Sequence, residues 1–284
     1  MPKIHPIQTG SVQVRQTQRA RRRDGVAGLA DMLTDPEWTE WLPIFCWLIE
    51  HDEGLILVDT GETARVHDRA YHPSWHPFYR LAVKFDIHPD EEIGPRLSKL
   101  GISTRDVKQV ILTHLHTDHA GGLHYFTGAR CRVSQGEWRR AQGMAWRIQG
   151  YLPHRWPRWW QPHPIRLEPH PIGPFRESMA VTRRGDVRII PTPGHTPDHV
   201  SVYVEGEPGF FLAGDTSYSQ ELLIDRKVDG VSPNPTVALE TLDSIVALAQ
   251  QRPFIYLPTH DCGAENRLHN LITVSSGHEP RHPM

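Results

Sequence analysis

Short apolar blocks, each ending in a turn built from Gly, Asp or His, recur along most of this 284-residue chain. Ile4, Ile7, Val12 and Val14 alternate loosely within Lys3 to Gln16, which predicts a first strand or two. A polar, helix-tolerant segment follows through Met32 and Trp41. The runs Leu42 to Glu50 and Leu55 to Asp59, parted by His51-Asp52-Glu53-Gly54, predict a hairpin. Leu55-Ile56-Leu57-Val58 shows no polar alternation, so it reads as a strand buried on both faces. It stops at Asp59-Thr60-Gly61, where glycine permits a tight turn.

Arg65 to His88 reads as a loop with short helical pieces. A helix is expected from Glu91 to Leu100, stopped by Gly101. Ser103 with Asp106 resembles a capping box and predicts a short helix before the strand Val110 to Thr113. Ala129 to Ser134 reads as a strand and Glu137 to Gln149 as a helix. Further strands are expected at Val187 to Pro191, Val200 to Val204, Phe210 to Ala213 and Pro253 to Pro258. A helix over Thr236 to Gln250 carries the stripe Val237, Leu242, Ile245 and Ala249. The tail after Leu271 is polar and reads as loose.

Strands and helices interleave without a linker, which predicts one domain over residues 1–284, an α/β layered sheet core with helices outside. The Trp/Pro-rich stretch at about 150–175, holding Trp156, Trp159 and Trp160, stands out as an insertion. It reads either as a surface loop or subunit contact, compatible with a homodimer, or as a wall over an apolar pocket.

Composition narrows the function. Lys and Arg number 31 against 33 Asp and Glu, a net charge of -2, which supports neither a nucleic-acid partner nor a membrane surface. The basic run Arg19 to Arg23 is local, followed by Asp24, and reads as a solvated segment. Cys46, Cys131 and Cys262 are widely spaced with no CxxC and read as reduced thiols. Cys262 reads as a packed thiol, although it lies two residues after His260. No run approaches a membrane span and no N-terminal apolar leader is present, so cytoplasmic residence is expected. Of 19 histidines, His72, His76, His154, His163 and His170 lie in Pro-rich loops and read as surface or pocket-lining residues.

The chemistry concentrates in Thr113-His114-Leu115-His116-Thr117-Asp118-His119-Ala120-Gly121-Gly122. Three imidazoles and a carboxylate directly follow the apolar run Val110-Ile111-Leu112, and these are ligand types that zinc and its neighbours prefer. Alternation at a strand end lets His114 and His116 converge on one ion, while the turn aims Asp118 and His119 at another. Three more strand ends carry the same residue types: His195 in Pro193-Gly194-His195-Thr196-Pro197, Asp215 in Ala213-Gly214-Asp215-Thr216, and His260 in Pro258-Thr259-His260-Asp261.

Together with the early turn Leu57-Val58-Asp59-Thr60-Gly61, these motifs resemble the metallo-β-lactamase superfamily of hydrolases. The resemblance implies an αββα sandwich with the site at one edge of its two sheets. It implies His114, His116 and His195 on one metal, Asp118, His119 and His260 on a second, and Asp215 between them. Within the superfamily, Leu42 to Ile49, Gly194 to Ser201 and Asp215-Thr216-Ser217-Tyr218 look like the N-acyl-homoserine lactone lactonases. That likeness implies a Tyr218 hydroxyl on the substrate carbonyl. The stretch between His119 and His195 is longer than the family's, and this leaves the choice of lactone open.

The expected function is therefore a dinuclear metal-dependent hydrolase that opens a lactone with an apolar tail, most simply an N-acyl homoserine lactone (quorum quenching). The expected nucleophile is a metal-bridging hydroxide, with Asp118 and Tyr218 as catalytic residues. Two divalent ions are expected, zinc first, with iron, manganese and cobalt as alternatives. The competing readings are a thioester, phosphodiester, β-lactam or other lactone hydrolase on the same metals, and a non-catalytic metal-binding sensor.

Overall fold

The computed structural model describes residues 2–143 and 150–274. Seven strands make the first sheet: β1 (Lys3–Val14), β2 (Leu42–His51), β3 (Gly54–Val58), β4 (Val83–Asp86), β5 (Val107–Ile111), β6 (Arg130–Ser134) and β7 (His163–Ile165). They lie in the order β4-β1-β2-β3-β5-β6-β7. Five make the second: β8 (Met179–Ala180), β9 (Val187–Pro191), β10 (Val200–Val204), β11 (Gly209–Gly214) and β12 (Phe254–Pro258), in the order β12-β11-β10-β9-β8.

The hairpin expected from the sequence is β2–β3, antiparallel with Trp47 opposite Val58 and Leu48 opposite Leu57. Beyond it the chain turns parallel, with Leu57 beside Val110 and Val58 beside Ile111. Side-chain alternation then explains the unbroken apolar run of β3. Ile56 and Val58 point between the sheets, where they meet Trp47, Ile111, Ile189, Val202, Leu212 and Leu257. Leu57 points outward, with Leu48 and Val110, against Ile93 and Leu97 of the helix Ile93–Lys99. The second sheet repeats the arrangement. Phe211 and Tyr256 pack outward on Leu242, Ile245 and Leu248 of the helix Pro235–Gln251. The layers are helix, sheet, sheet, helix, the expected αββα sandwich.

Four local expectations need correcting. β4 lies inside the stretch read as loop; it pairs with β1 as an edge strand, Val83 opposite Val14 and Phe85 opposite Val12. Ser103 and Asp106 do bond, the Asp106 carboxylate accepting the Ser103 N–H at 3.0 Å. They close a turn and not a helix, because β5 begins at the very next residue, Val107. The helix read as Glu137 to Gln149 starts at Gln135, capped by Ser134, and ends at Ala141; residues 144–149 lie outside the described residues. In the long helix Val237 is half-buried and Ala238 takes its inward place.

The Trp-rich stretch is woven into the fold. Its residues His163–Ile165 add β7 to the sheet beside β6. Trp160 is buried, and Trp156 and Trp160 pack on Trp138 with ring centroids 5.4 and 5.3 Å away. These two rings therefore form neither a lid nor an exposed contact surface; Trp159, 46% exposed, is the one that faces out. The basic run is paired throughout, Arg19 with Glu40, Arg21 with Asp24, Arg22 with Glu37 and Arg23 with Asp31. Among the described residues no helix is long and apolar enough to cross a membrane.

Candidate metal centre

Strand ends and the short helix Thr117–Ala120, which holds Asp118 and His119, bring all seven expected residues together. Asp59, in the left-handed region at φ 62°, is the anchor. Its Oδ1 accepts the Thr113 N–H at 2.8 Å and its Oδ2 accepts the Thr113 hydroxyl at 2.9 Å. Thr113 O accepts the Val200 N–H at 3.0 Å, so the end of β5 is tied to both sheets just before His114. The turn with His195 is pressed onto the helix Pro235–Gln251: a Cβ on Gly194 would stand 3.0 Å from Ala238. At Gly214, φ 57° and the nearby His199 ring both require glycine just before Asp215.

The geometry forms three interlocking groups whose ligand atoms lie within 4.8 Å of one another: His114, His116 and His195; His114, His119 and Asp215; and Asp118, His119 and His260. His116 Nδ1 stands 2.9 Å from His114 Nε2 and 3.0 Å from His195 Nε2. Asp215 lies between the groups, Oδ1 at 3.3 Å from His119 and Oδ2 at 3.4 Å from both His195 and His260. Asp118 Oδ2 is 3.3 Å from His260 Nε2.

The donor set fits divalent cations. Four rings turn Nδ1 outward: His119 to Asp59 at 2.8 Å, His195 to Asp229 at 3.2 Å, His260 to Pro43 O at 2.9 Å and His114 to the Thr113 hydroxyl at 3.1 Å. An acceptor behind Nδ1 places the ring proton there and leaves Nε2 as a bare lone pair. Those lone pairs face one another and two carboxylates in a water-poor site. His119 Nε2 and Asp215 Oδ1 are buried without a hydrogen-bond partner. Nitrogens around a tetrahedral ion at its usual bond length stand about 3.3 Å apart, close to the spacings seen here.

Charge tells the same story. Burial disfavours a charged His260, yet Asp215 and Asp118 outweigh it and lift its pKa to about 10. Burial likewise opposes Asp118, but His119 and His260 pull it down to about 2. His116, where burial and His195 act together, falls to about 3. The carboxylates call for positive charge at the centre, which His260 carries as a proton, while burial and neighbouring rings keep His114 and His116 from sharing it. A bound cation would replace the proton on His260 and balance the carboxylates without charging the crowded rings.

Several residues that the sequence did not single out support the site. Asp229 backs His195 from a loop after no strand, so no pattern announced it. His199 lies under Asp215: its Nε2 accepts the Asp215 N–H at 3.2 Å and its Nδ1 meets the Thr192 hydroxyl at 2.9 Å. Thr192 then meets Ser201, which donates to Ala213 O, so one tautomer satisfies the whole chain. Glu137 receives the Tyr151 hydroxyl at 2.9 Å, and the Tyr151 ring lies 5.1 Å from that of His116. Of the loop histidines, His76 is buried and His72 stacks on Tyr79 at 4.0 Å. Cys262 is exposed and belongs to none of the three groups.

An apolar cavity of about 250 Å³ opens directly onto these residues. Val12, Val14, Met32, Phe78 and Phe85 wall it, while Asp118, Asp215, Tyr218 and His260 form its floor. Tyr218 is buried and stacked on His260, with ring centroids 5.4 Å apart.

A strand-end cluster of this composition, on two facing sheets, is the signature of metal-dependent hydrolases, and the comparisons agree. The family model of the metallo-β-lactamase superfamily matches residues 39–260, and the chain belongs to that superfamily. It is 28% identical over 234 residues to the N-acyl homoserine lactonase AiiA of Bacillus thuringiensis subsp. kurstaki, covering 79% of this chain and 83% of the relative. Among solved structures it resembles an N-acyl homoserine lactone hydrolase with N-hexanoyl-L-homoserine at its catalytic metal centre (TM-score 0.73, 23% identity, 93% and 95% of the two chains). It also resembles the dizinc quorum-quenching lactonase AidC (TM-score 0.60, 16% identity, 92% and 87%). At these identities the structural likeness establishes the fold.

Proposed function

We propose that this metal-dependent hydrolase opens the ring of N-acyl homoserine lactones, using two divalent cations. The observation that carries the reading is the junction of the His/Asp cluster with an apolar cavity, Tyr218 standing where they meet. The relatives named as lactonases support the substrate class. His114, His116 and His195 would hold one ion, Asp118, His119 and His260 the other, and Asp215 would reach both. Ions held there would supply a coordinated water of lowered pKa and polarise the scissile carbonyl. Zinc suits imidazole and carboxylate best, with iron, manganese and cobalt as alternatives.

The chain's own residues supply the rest. Burial, with Asp215 and Asp229 nearby, holds the Tyr218 phenol well above its usual pKa, so it stays a donor. It donates to the carbonyl oxygen as charge grows there. Asp118 is the most exposed carboxylate of the cluster, its side chain 15% accessible, and it lines the cavity. Ionised at neutral pH, it would take the proton that the attacking water loses and pass it to the departing alkoxide. The apolar walls take the acyl tail and exclude water. The three free thiols favour a cytoplasmic setting, and exposed Trp41, Trp75 and Trp159 favour a homodimer.

Elemental analysis followed by a hydrolysis panel tests this. Two metals per chain are expected, with N-acyl homoserine lactones turned over faster than a thioester or bis(nitrophenyl) phosphate. Preference for either of the latter overturns the substrate class, and metal without hydrolysis points to a sensor. Asp215→Asn is expected to lose metal and activity together; keeping both refutes the ligand assignment.

A further inference from the structure

The hydroxyl of Tyr218 is held by a residue 200 positions away. Gln18, buried at 4% exposure, donates its Nε2–H to Tyr218 Oη at 3.1 Å. A carboxamide nitrogen donates and cannot accept, so this bond occupies a lone pair of the phenol and leaves its proton to point elsewhere. Among the described residues no acceptor takes that proton, and both side chains line the cavity.

The Gln18 backbone is itself fixed. Its main-chain carbonyl accepts the Gly230 N–H at 2.8 Å, and the Arg21 main-chain N–H reaches Val228 O at 2.8 Å. The Arg21 guanidinium holds the carbonyls of Asp229, Gly230 and Ser232. The two segments touch so closely that a Cβ on Gly230 would stand 2.3 Å from Thr17 O and 3.0 Å from Gln18 Cα. The segment Gln16 to Arg21 and the loop 228–232 thus act as one strap. At one end Asp229 backs His195; at the other Gln18 holds Tyr218.

We infer that Gln18 is a positioning residue for hydrolysis, fixing the Tyr218 hydroxyl as a hydrogen-bond donor aimed into the cavity. The inference rests on the reading of Tyr218 as donor to the substrate carbonyl. Gln18 does its work through Tyr218 alone, and a group oriented in advance loses no free energy to reorganisation when charge develops.

The test is a double-mutant cycle on the metal-loaded protein, using the fastest lactone of the panel. Gln18→Met and Gln18→Leu, both of similar volume, are expected to lower kcat about tenfold, the scale of one hydrogen bond, with KM within about twofold. Metal content and melting temperature are expected to match the parent. In a Tyr218→Phe background Gln18→Met is expected to change kcat by less than about twofold, because the group it acts through is gone. Losses that multiply in the double variant overturn the inference. So does an unchanged or faster Gln18→Met enzyme, the result expected if the carboxamide carbonyl were taking the Tyr218 proton. A loss confined to KM, metal content or melting temperature makes Gln18 merely structural and also overturns it. If Tyr218→Phe alone leaves the rate unchanged, the Tyr218 reading fails and this inference falls with it; if Tyr218→Phe is slow while Gln18→Met is not, only the inference fails.

Discussion

Asp59 and His119, sixty residues apart, meet at 2.8 Å, Asp59 Oδ2 accepting from His119 Nδ1. The same carboxylate binds the Thr113 N–H and hydroxyl. One residue at the end of β3 therefore sets both the path of the His114–His119 segment and the tautomer of its last imidazole. Asp59→Asn keeps the left-handed backbone, which asparagine tolerates, but replaces an acceptor-only group. Metal affinity is expected to fall by about 10–100-fold with the fold intact. Chelator competition followed by residual metal content reads this directly. Unchanged affinity would show that His119 is oriented without Asp59.

The cavity leads to a test of tail recognition. Met32 is buried at 6% and stands in its wall. Each methylene of a tail buried there contributes about 0.8 kcal/mol, close to fourfold in binding. Met32→Trp fills part of the space, so the kcat/KM preference for a decanoyl over a butanoyl lactone should shrink by at least about tenfold. Equal losses on both substrates would mean that the tail lies elsewhere.

Much of this was legible in the sequence, for a physical reason. β2, β10, β11 and β12 are buried along almost their whole length and β3, β5 and β9 over their later residues, so they read as apolar blocks, and each donor at their ends inherits a fixed position from the sheet. That is why His114, His116, Asp118, His119, His195, Asp215 and His260 stand out together in the sequence itself. What stayed hidden depends on tertiary placement. β4 has only four residues at a sheet edge, with Lys84 exposed between Val83 and Phe85. Asp229, Gln18 and Glu137 sit in a loop and on short helices, and only the folded chain brings them to His195, Tyr218 and Tyr151. The tryptophans misled because clustering along the chain gives no direction to a side chain.

Those tryptophans provide a stability test. Trp160 is 6% exposed and packed on Trp138 and Trp156, whereas its neighbour Trp159 is 46% exposed. Trp160→Ala should cost about 3–5 kcal/mol through lost burial and the cavity it leaves. Trp159→Ala should stay within about 0.5 kcal/mol of the parent. Urea denaturation of the two variants measures the contrast. Similar costs would contradict the inward packing of this stretch.

The last prediction concerns pH and a carboxyl outside the metal cluster. Burial raises the Glu137 carboxyl from 4.5 to about 7, against the opposing hydrogen bonds of Thr196 and Tyr151. Below 4.5 the group is protonated in folded and unfolded chains alike, so it does not penalise folding. Between 4.5 and about 7 the folded protein keeps a proton that the unfolded chain has released, so stability falls as pH rises through that window. Above it the full penalty applies, on the order of 3 kcal/mol. Glu137→Gln mimics the protonated form and retains an oxygen for the Tyr151 hydroxyl. Melting curves from pH 5 to 8 should therefore show the parent losing stability relative to Glu137→Gln, with most of the difference gained by pH 7. Parallel curves would mean that Glu137 titrates normally, and that the Glu137–Tyr151 contact beside His116 carries its charge without cost.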